Sequence, residues 1–243
     1  MTVIKRISIP IVKKIVHVIV LLSFLQSVTA ITASIRSEVE GEGFHRTLKY
    51  HVDTGTFMND SCYVAVFVQL PPFLYVNADE LADLRRLDKI MACSEGEIDV
   101  ELFAEKAHYQ NLTVCSKLSS TKTTLSVPIH QRYRFSTDTG QPIHVSIPRP
   151  LLFIGCKDRI KEHRVSKIRI GWPCIDLVKK WRDVFYVWEG DRGFVWKIPA
   201  GNTSRKYVVT GVTMLVTLLG GAYVLWSIHK SFKVPSEKKI KDS

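Results

Sequence analysis

The chain contains no Gly-x-Ser-x-Gly turn, no His-Glu-x-x-His pair and no glycine-rich lysine loop. That removes the usual signatures of an activated serine, a zinc protease and a phosphate cradle. Its five cysteines, Cys62, Cys93, Cys115, Cys156 and Cys174, never take Cys-x-x-Cys spacing, so they form neither a zinc knuckle nor a dithiol redox motif. Gly41-Glu-Gly43 opens like a dinucleotide fingerprint, but Arg46 stands where the third glycine belongs. Internal repeats and low-complexity tracts are absent. Charge is missing altogether between Tyr207 and Ile228.

That uncharged run is what the sequence offers in their place. A helix of 22 residues rising about 1.5 Å per residue is about 33 Å long, enough to cross a hydrocarbon core of about 30 Å. Lys230, Lys233, Lys238, Lys239 and Lys241 follow it against only Glu237 and Asp242, which marks the tail as cytosolic. Lys239 and Lys241 have the spacing of a dilysine retrieval signal to the endoplasmic reticulum; a merely solvated basic tail is the plainer reading. At the other end, Lys5, Arg6, Lys13 and Lys14 precede an apolar stretch from Ile15 to Leu25, with small residues at Val28 and Ala30. This is the pattern of a secretory signal peptide. The uncharged stretch continues to Ile35, so an uncleaved anchor is the alternative. The sequence thus divides into a signal segment over 1–30, a lumenal domain over 31–206, a membrane helix over 207–228 and a cytosolic tail over 229–243.

The formal charge of +11 shrinks once it is divided. The signal segment carries four of the excess charges and the tail three, so nucleic acid is not an expected partner. Lys157 to Arg169 remains a local basic run, suited to lipid headgroups or simply solvated. All cysteines fall in the lumenal segment, where thiols oxidise, and their odd number leaves at least one outside an intramolecular pair. Asn59, Asn111 and Asn202 open N-glycosylation triplets. Asn202 stands five residues before the membrane run, a poor position for a membrane-embedded transferase.

Short β-rich segments bounded by turn formers fill the lumenal part: 44–52, 62–70, 98–103, 112–116, 123–133, 144–147, 151–156, 165–170, 183–188 and 194–198. They predict a mainly β, sandwich-like domain. Asn77, with Glu80 three residues on, caps the one short helix expected. Glu95, Glu97, Asp99 and Glu101 alternate as on a solvated strand face. His45, His51, His130 and His144 are dispersed in sequence and read as ordinary hydrogen-bonded residues. No catalytic residue, cofactor or metal is expected. In the membrane run, Thr210, Thr213, Thr217, Gly220 and Gly221 recur at spacings of three and four and form a small-residue face suited to a partner helix, although such stripes also arise by chance.

Five segments in order carry a resemblance: Gly43-Phe-His-Arg46, Leu70-Pro-Pro-Phe-Leu-Tyr-Val-Asn-Ala-Asp-Glu-Leu81, Val127-Pro-Ile-His-Gln-Arg-Tyr-Arg134, Pro150-Leu-Leu-Phe-Ile-Gly-Cys156 and Ile198-Pro-Ala-Gly201. Together they resemble the PIG-X family of accessory subunits of glycosylphosphatidylinositol (GPI) mannosyltransferase I. The resemblance implies a single-pass type I glycoprotein of the endoplasmic reticulum membrane that stabilises a multi-spanning catalytic subunit, PIG-M, and performs no chemistry itself. In that complex, mannose passes from dolichol-phosphate-mannose to the GPI precursor. Phe44, His45, Arg46, His130, Arg132, Tyr133 and Pro199 become candidates for partner contact. Read as structure instead, Phe44 and Tyr133 are core residues, while Arg46 and Arg132 close an internal hydrogen-bond network. Cysteine at positions 62 and 156 is also in keeping with the family and suggests a bridge between them. The competing reading is a single-pass adhesion or receptor protein with a β-sandwich ectodomain.

Overall fold

The computed structural model describes residues 32–57, 59–160, 163–190 and 194–232. The signal segment over 1–30, Lys239 and Lys241 lie outside the described residues. Two five-stranded sheets stack around a shared core. The first runs in the order β11 (Tyr186–Trp188), β1 (Ala33–Glu40), β2 (His45–Asp53), β7 (Lys122–Gln131) and β4 (Leu74–Tyr75). The second runs β10 (Trp181–Val184), β9 (Leu151–Cys156), β3 (Cys62–Leu70), β6 (Gln110–Lys117) and β5 (Met91–Gly96). All pairings within them are antiparallel except β1 with β11. A ribbon of β8 (Ile143–Ser146) and β12 (Val195–Ile198) completes the strands. Helix α1 spans Ala78–Arg86, and helix α2 spans Lys206–Phe232.

The alternation of side chains decides which face each strand buries. On β2, Leu48, Tyr50 and Val52 enter the core, and on the neighbouring β7 Leu125, Val127 and Ile129 do the same. Their intervening neighbours form a polar outer face, where Lys49 pairs with Glu40 and His51 reaches Glu38 and Thr124. Strand β3 is apolar on both faces. Val64, Val66 and Val68 point between the sheets, while Ala65 packs with Cys115, Phe153, Cys174 and Trp181 on the far side. A third layer, drawn from 170–178, therefore covers the second sheet. Disulfide Cys115–Cys174 ties that layer down, Cys62–Cys156 joins directly opposed residues of β3 and β9, and Cys93 carries a free thiol. Burial pushes the Cys93 thiol above its ordinary range, with Glu95 adding to the shift.

Asn77 caps α1 as the sequence suggested, its side chain accepting from the backbone N–H groups of Asp79 and Glu80. Leu81 is then buried in the core and fixes the helix against the sandwich. Other expectations are corrected. Residues 98–103 form turns rather than a strand, with Glu97 and Asp99 accepting from the backbone N–H two residues on. Of the acidic series only Glu95 lies on a strand. Residues 165–170 make a single bridge, Val165 to Arg182, within the covering layer. Ala33 and Ile35 belong to β1 and are buried in the core, so an anchor helix cannot run on to Ile35.

Tyr50 is the least comfortable core residue. Its side chain is buried and its hydroxyl has no protein hydrogen-bond partner among the described residues. Burial, followed by the charge of Tyr186, pushes its pKa far above the ordinary value near 10. Above about pH 10 the unfolded chain releases this proton and the native chain keeps it, so stability falls with rising pH by up to about 1.4 kcal/mol per unit. Tyr50→Phe is expected to match or exceed the parent in stability at pH 8 and to show a shallower loss above pH 10, measured by denaturant unfolding. An equal slope in both proteins would contradict this.

Candidate functional site

Strand register gathers residues that the sequence scatters. The Gln131 N–H donates to the Phe44 carbonyl, which makes 44 and 131 a hydrogen-bonded pair. His45 and His130 are therefore the adjoining non-hydrogen-bonded pair, in which side chains stand closest. Their rings meet edge to face with centroids 4.4 Å apart. His130 Nε2 lies 2.7 Å from Glu80 Oε2 of α1, and Tyr75 of β4 stacks on the His130 ring at 5.0 Å. The guanidinium of Arg132 sits 4.6 Å from the Tyr75 ring centroid and donates to the backbone carbonyls of Asp99 and Leu102. The histidines at 45 and 130 are thus neighbours, against the dispersed reading. His51 lies farther along β2, while His144 is on β8.

Arg132 and Tyr75 show what this packing does electrostatically. Burial lowers the Arg132 pKa, with Glu97, Tyr75 and Asp99 opposing the shift. Burial also raises Tyr75, and there Arg132 opposes. Arg132 is the internal residue of the two arginines, at 2 % exposure. Arg46 instead closes the end of the sandwich, its guanidinium 4.3 Å from the Trp196 ring centroid and its Nε donating to the Gly43 carbonyl. Trp196 of β12 is wholly buried and donates from Nε1 to Gln131 Oε1 at 2.9 Å. It plugs the end of the sandwich from which the chain runs through exposed Pro199 to α2.

Phe44 and Tyr133 are not core residues. They are 43 % and 69 % exposed and pack on each other at the surface, 5.1 Å between centroids. Phe103 and Phe135 form a second exposed pair, and the backbone links the two, since the Ala104 N–H donates to the Tyr133 carbonyl. Two residues beyond Phe135, Thr137 bridges to Asn202 at the foot of the membrane helix. The backbone thus carries two exposed aromatic pairs, Phe44 with Tyr133 and Phe103 with Phe135, toward the segment that leads to α2. On the sandwich's second sheet, Lys157, Arg159, Lys179, Lys180 and Arg182 border a cavity of about 750 Å3, which gathers part of the basic run noted in the sequence.

Asn59 is exposed in the turn before β3, Asn111 lies half-buried on β6 within reach of Gln69, and Asn202 caps the short turn at Thr203–Arg205. The Asn202 side chain packs over Gly140, where even a Cβ would come within 2.9 Å of it. In α2 the Thr217 hydroxyl donates to the Thr213 carbonyl, while Thr210, Gly220 and Gly221 stay exposed; a Cβ at either glycine would meet nothing within 4 Å.

These features define a β-sandwich domain tethered to one candidate membrane helix, with the motif residues gathered at the end that leads to it. The chain belongs to the PIG-X / PBN1 family, whose model matches residues 41–229, from just before β2 into the last turn of α2. Membership makes it an accessory subunit of the mannosyltransferase machinery of GPI-anchor biosynthesis. No curated protein matches the chain.

The Trp196–Gln131 contact yields a test of how the end plug works. Trp196→Phe removes the donor, strands a buried amide oxygen and is expected to cost about 1–3 kcal/mol. Adding Gln131→Leu removes the stranded acceptor and is expected to recover part of the loss, measured by chemical denaturation. A double variant less stable than the single one would overturn this account of the plug.

Proposed function

We propose that this chain is the non-catalytic stabilising subunit of GPI mannosyltransferase I, bound to a multi-spanning catalytic subunit of the PIG-M kind. The observation that carries the proposal is the family match, which takes in β2 through β12 together with most of the membrane helix. The chain would sit in the endoplasmic reticulum membrane as a type I protein, with the sandwich over 31–206 lumenal, the span at 207–228, and the tail over 229–243 cytosolic. A cleaved signal over 1–30 and retrieval by Lys239 and Lys241 agree with that orientation. Asn59 and Asn111 would then meet the glycosylation machinery, and Asn202 less readily.

The contact surface follows from exposure and continuity. Phe44 and Tyr133 offer aromatic area at the surface, and Phe103 and Phe135 extend it toward the helix. Such side chains dominate binding energy where a partner buries them. His45, Arg46, His130, Arg132 and Pro199 then shape and support the patch. The exposed stripe of Thr210, Thr213, Thr217, Gly220 and Gly221 would let a partner helix approach closely. No part of this requires a cofactor.

Stabilisation works by mass action. A subunit that binds only the folded partner stabilises it by about 2.7 kcal/mol when free subunit stands a hundredfold above Kd. Removing the chain from cells is expected to lower catalytic-subunit protein while its message is unchanged. Re-expressing the Phe44→Ala/Tyr133→Ala variant should restore that protein poorly, since losing about 2 kcal/mol of binding weakens affinity about thirtyfold. Normal abundance of the catalytic subunit without this chain would refute the stabilising role.

A further inference from the structure

We propose that His45, Glu80 and His130 form a binding site for one zinc-class divalent cation, with a coordination position left open to solvent. One ligand atom from each residue lies within 4.8 Å of the other two. In a tetrahedral zinc site with bonds of about 2.0–2.1 Å, ligand atoms stand about 3.3 Å apart. Small side-chain rotations therefore close the set without moving the backbone. His130 Nε2 and Glu80 Oε2, now at hydrogen-bond distance, would part slightly as the cation replaces the shared proton.

The three side chains come from three elements, each held independently. β2 and β7 place the two imidazoles on one face through their register. Glu80 is set by the capped first turn of α1 and by the burial of its neighbour Leu81. Tyr75 stacks on His130 and limits its rotation, while Arg132 packs on Tyr75 rather than on the cluster. The charge of Arg132 is opposed by Glu97 and Asp99, and Glu80 supplies the carboxylate. His45 is exposed, which leaves that side of the site open. Two imidazoles and one carboxylate select zinc and its neighbours over calcium or magnesium, which prefer all-oxygen shells. Bound there, the ion would clamp α1 to the β2–β7 pair beside the exposed aromatic pair. The inference stands apart from the identity of any protein partner.

A hydrogen bond between Glu80 and His130 explains that pair but gives His45 no part. The two explanations separate in a direct experiment on the full chain, purified in detergent without a polyhistidine tag and stripped with chelator. Equilibrium dialysis against zinc should give one equivalent bound per chain, and cobalt should give the visible absorption of a four-coordinate site. His45→Ala, an exposed substitution that leaves the core intact, should weaken zinc binding at least tenfold; Glu80→Gln should do the same. His51→Ala removes a histidine that also faces a carboxylate, Glu38, and should change nothing. The inference fails if zinc does not bind at micromolar concentration, or if His45→Ala leaves the affinity unaltered.

Discussion

The pairing of β2 with β7 is the constraint on which the rest of the structure depends. It runs without a break from His45 opposite His130 to Asp53 opposite Lys122. Because side chains alternate, a slip of one residue would carry Leu48, Tyr50 and Val52 out of the core and bring Lys49 and His51 in. The same register sets Phe44 opposite Gln131, His45 opposite His130 and Arg46 opposite Ile129. At the far end of the ladder, Thr54 continues the pairing by donating its N–H to the Thr121 carbonyl.

From that ladder the architecture extends outward in both directions. Gln131, the last residue of β7, holds Trp196, and Trp196 belongs to the strand that leads to α2. Arg46 lies over the same indole. The end plug therefore links the first sheet to the stalk through two polar side chains and one buried ring. The second sheet is secured separately, by a disulfide between neighbouring strands and another to its covering layer. Two disulfides behind the sandwich and exposed aromatic rings at its end suit the contact surface proposed there, because fixed side chains bind with less loss of freedom.

Much of this was legible in the sequence where local chemistry decides the outcome. The cap at Asn77, the limits of β3 and β9 and the long apolar helix all follow from residues within a few positions. β1 was hidden because Ala33 and Ile35 continue an apolar run whose beginning reads as a signal segment. Residues 98–103 and 165–170 have strand-like composition, yet the first forms turns closed by its own acidic side chains and the second serves as cover. Pairing across distance was the least visible property. Nothing local to His45 announces His130 or Glu80, and nothing local to Phe44 announces its exposed contact with Tyr133. A resemblance through short separated motifs identified those residues, and strand register explains why they lie together.

The central claim is that this protein acts by holding another. Affinity purification of the full chain in mild detergent, with mass spectrometry of the proteins that accompany it, addresses that claim most directly. A multi-spanning mannosyltransferase recovered in stoichiometric amount is the expected result. Repeated recovery of the intact chain without such a protein would contradict the account and favour the reading of a single-pass receptor.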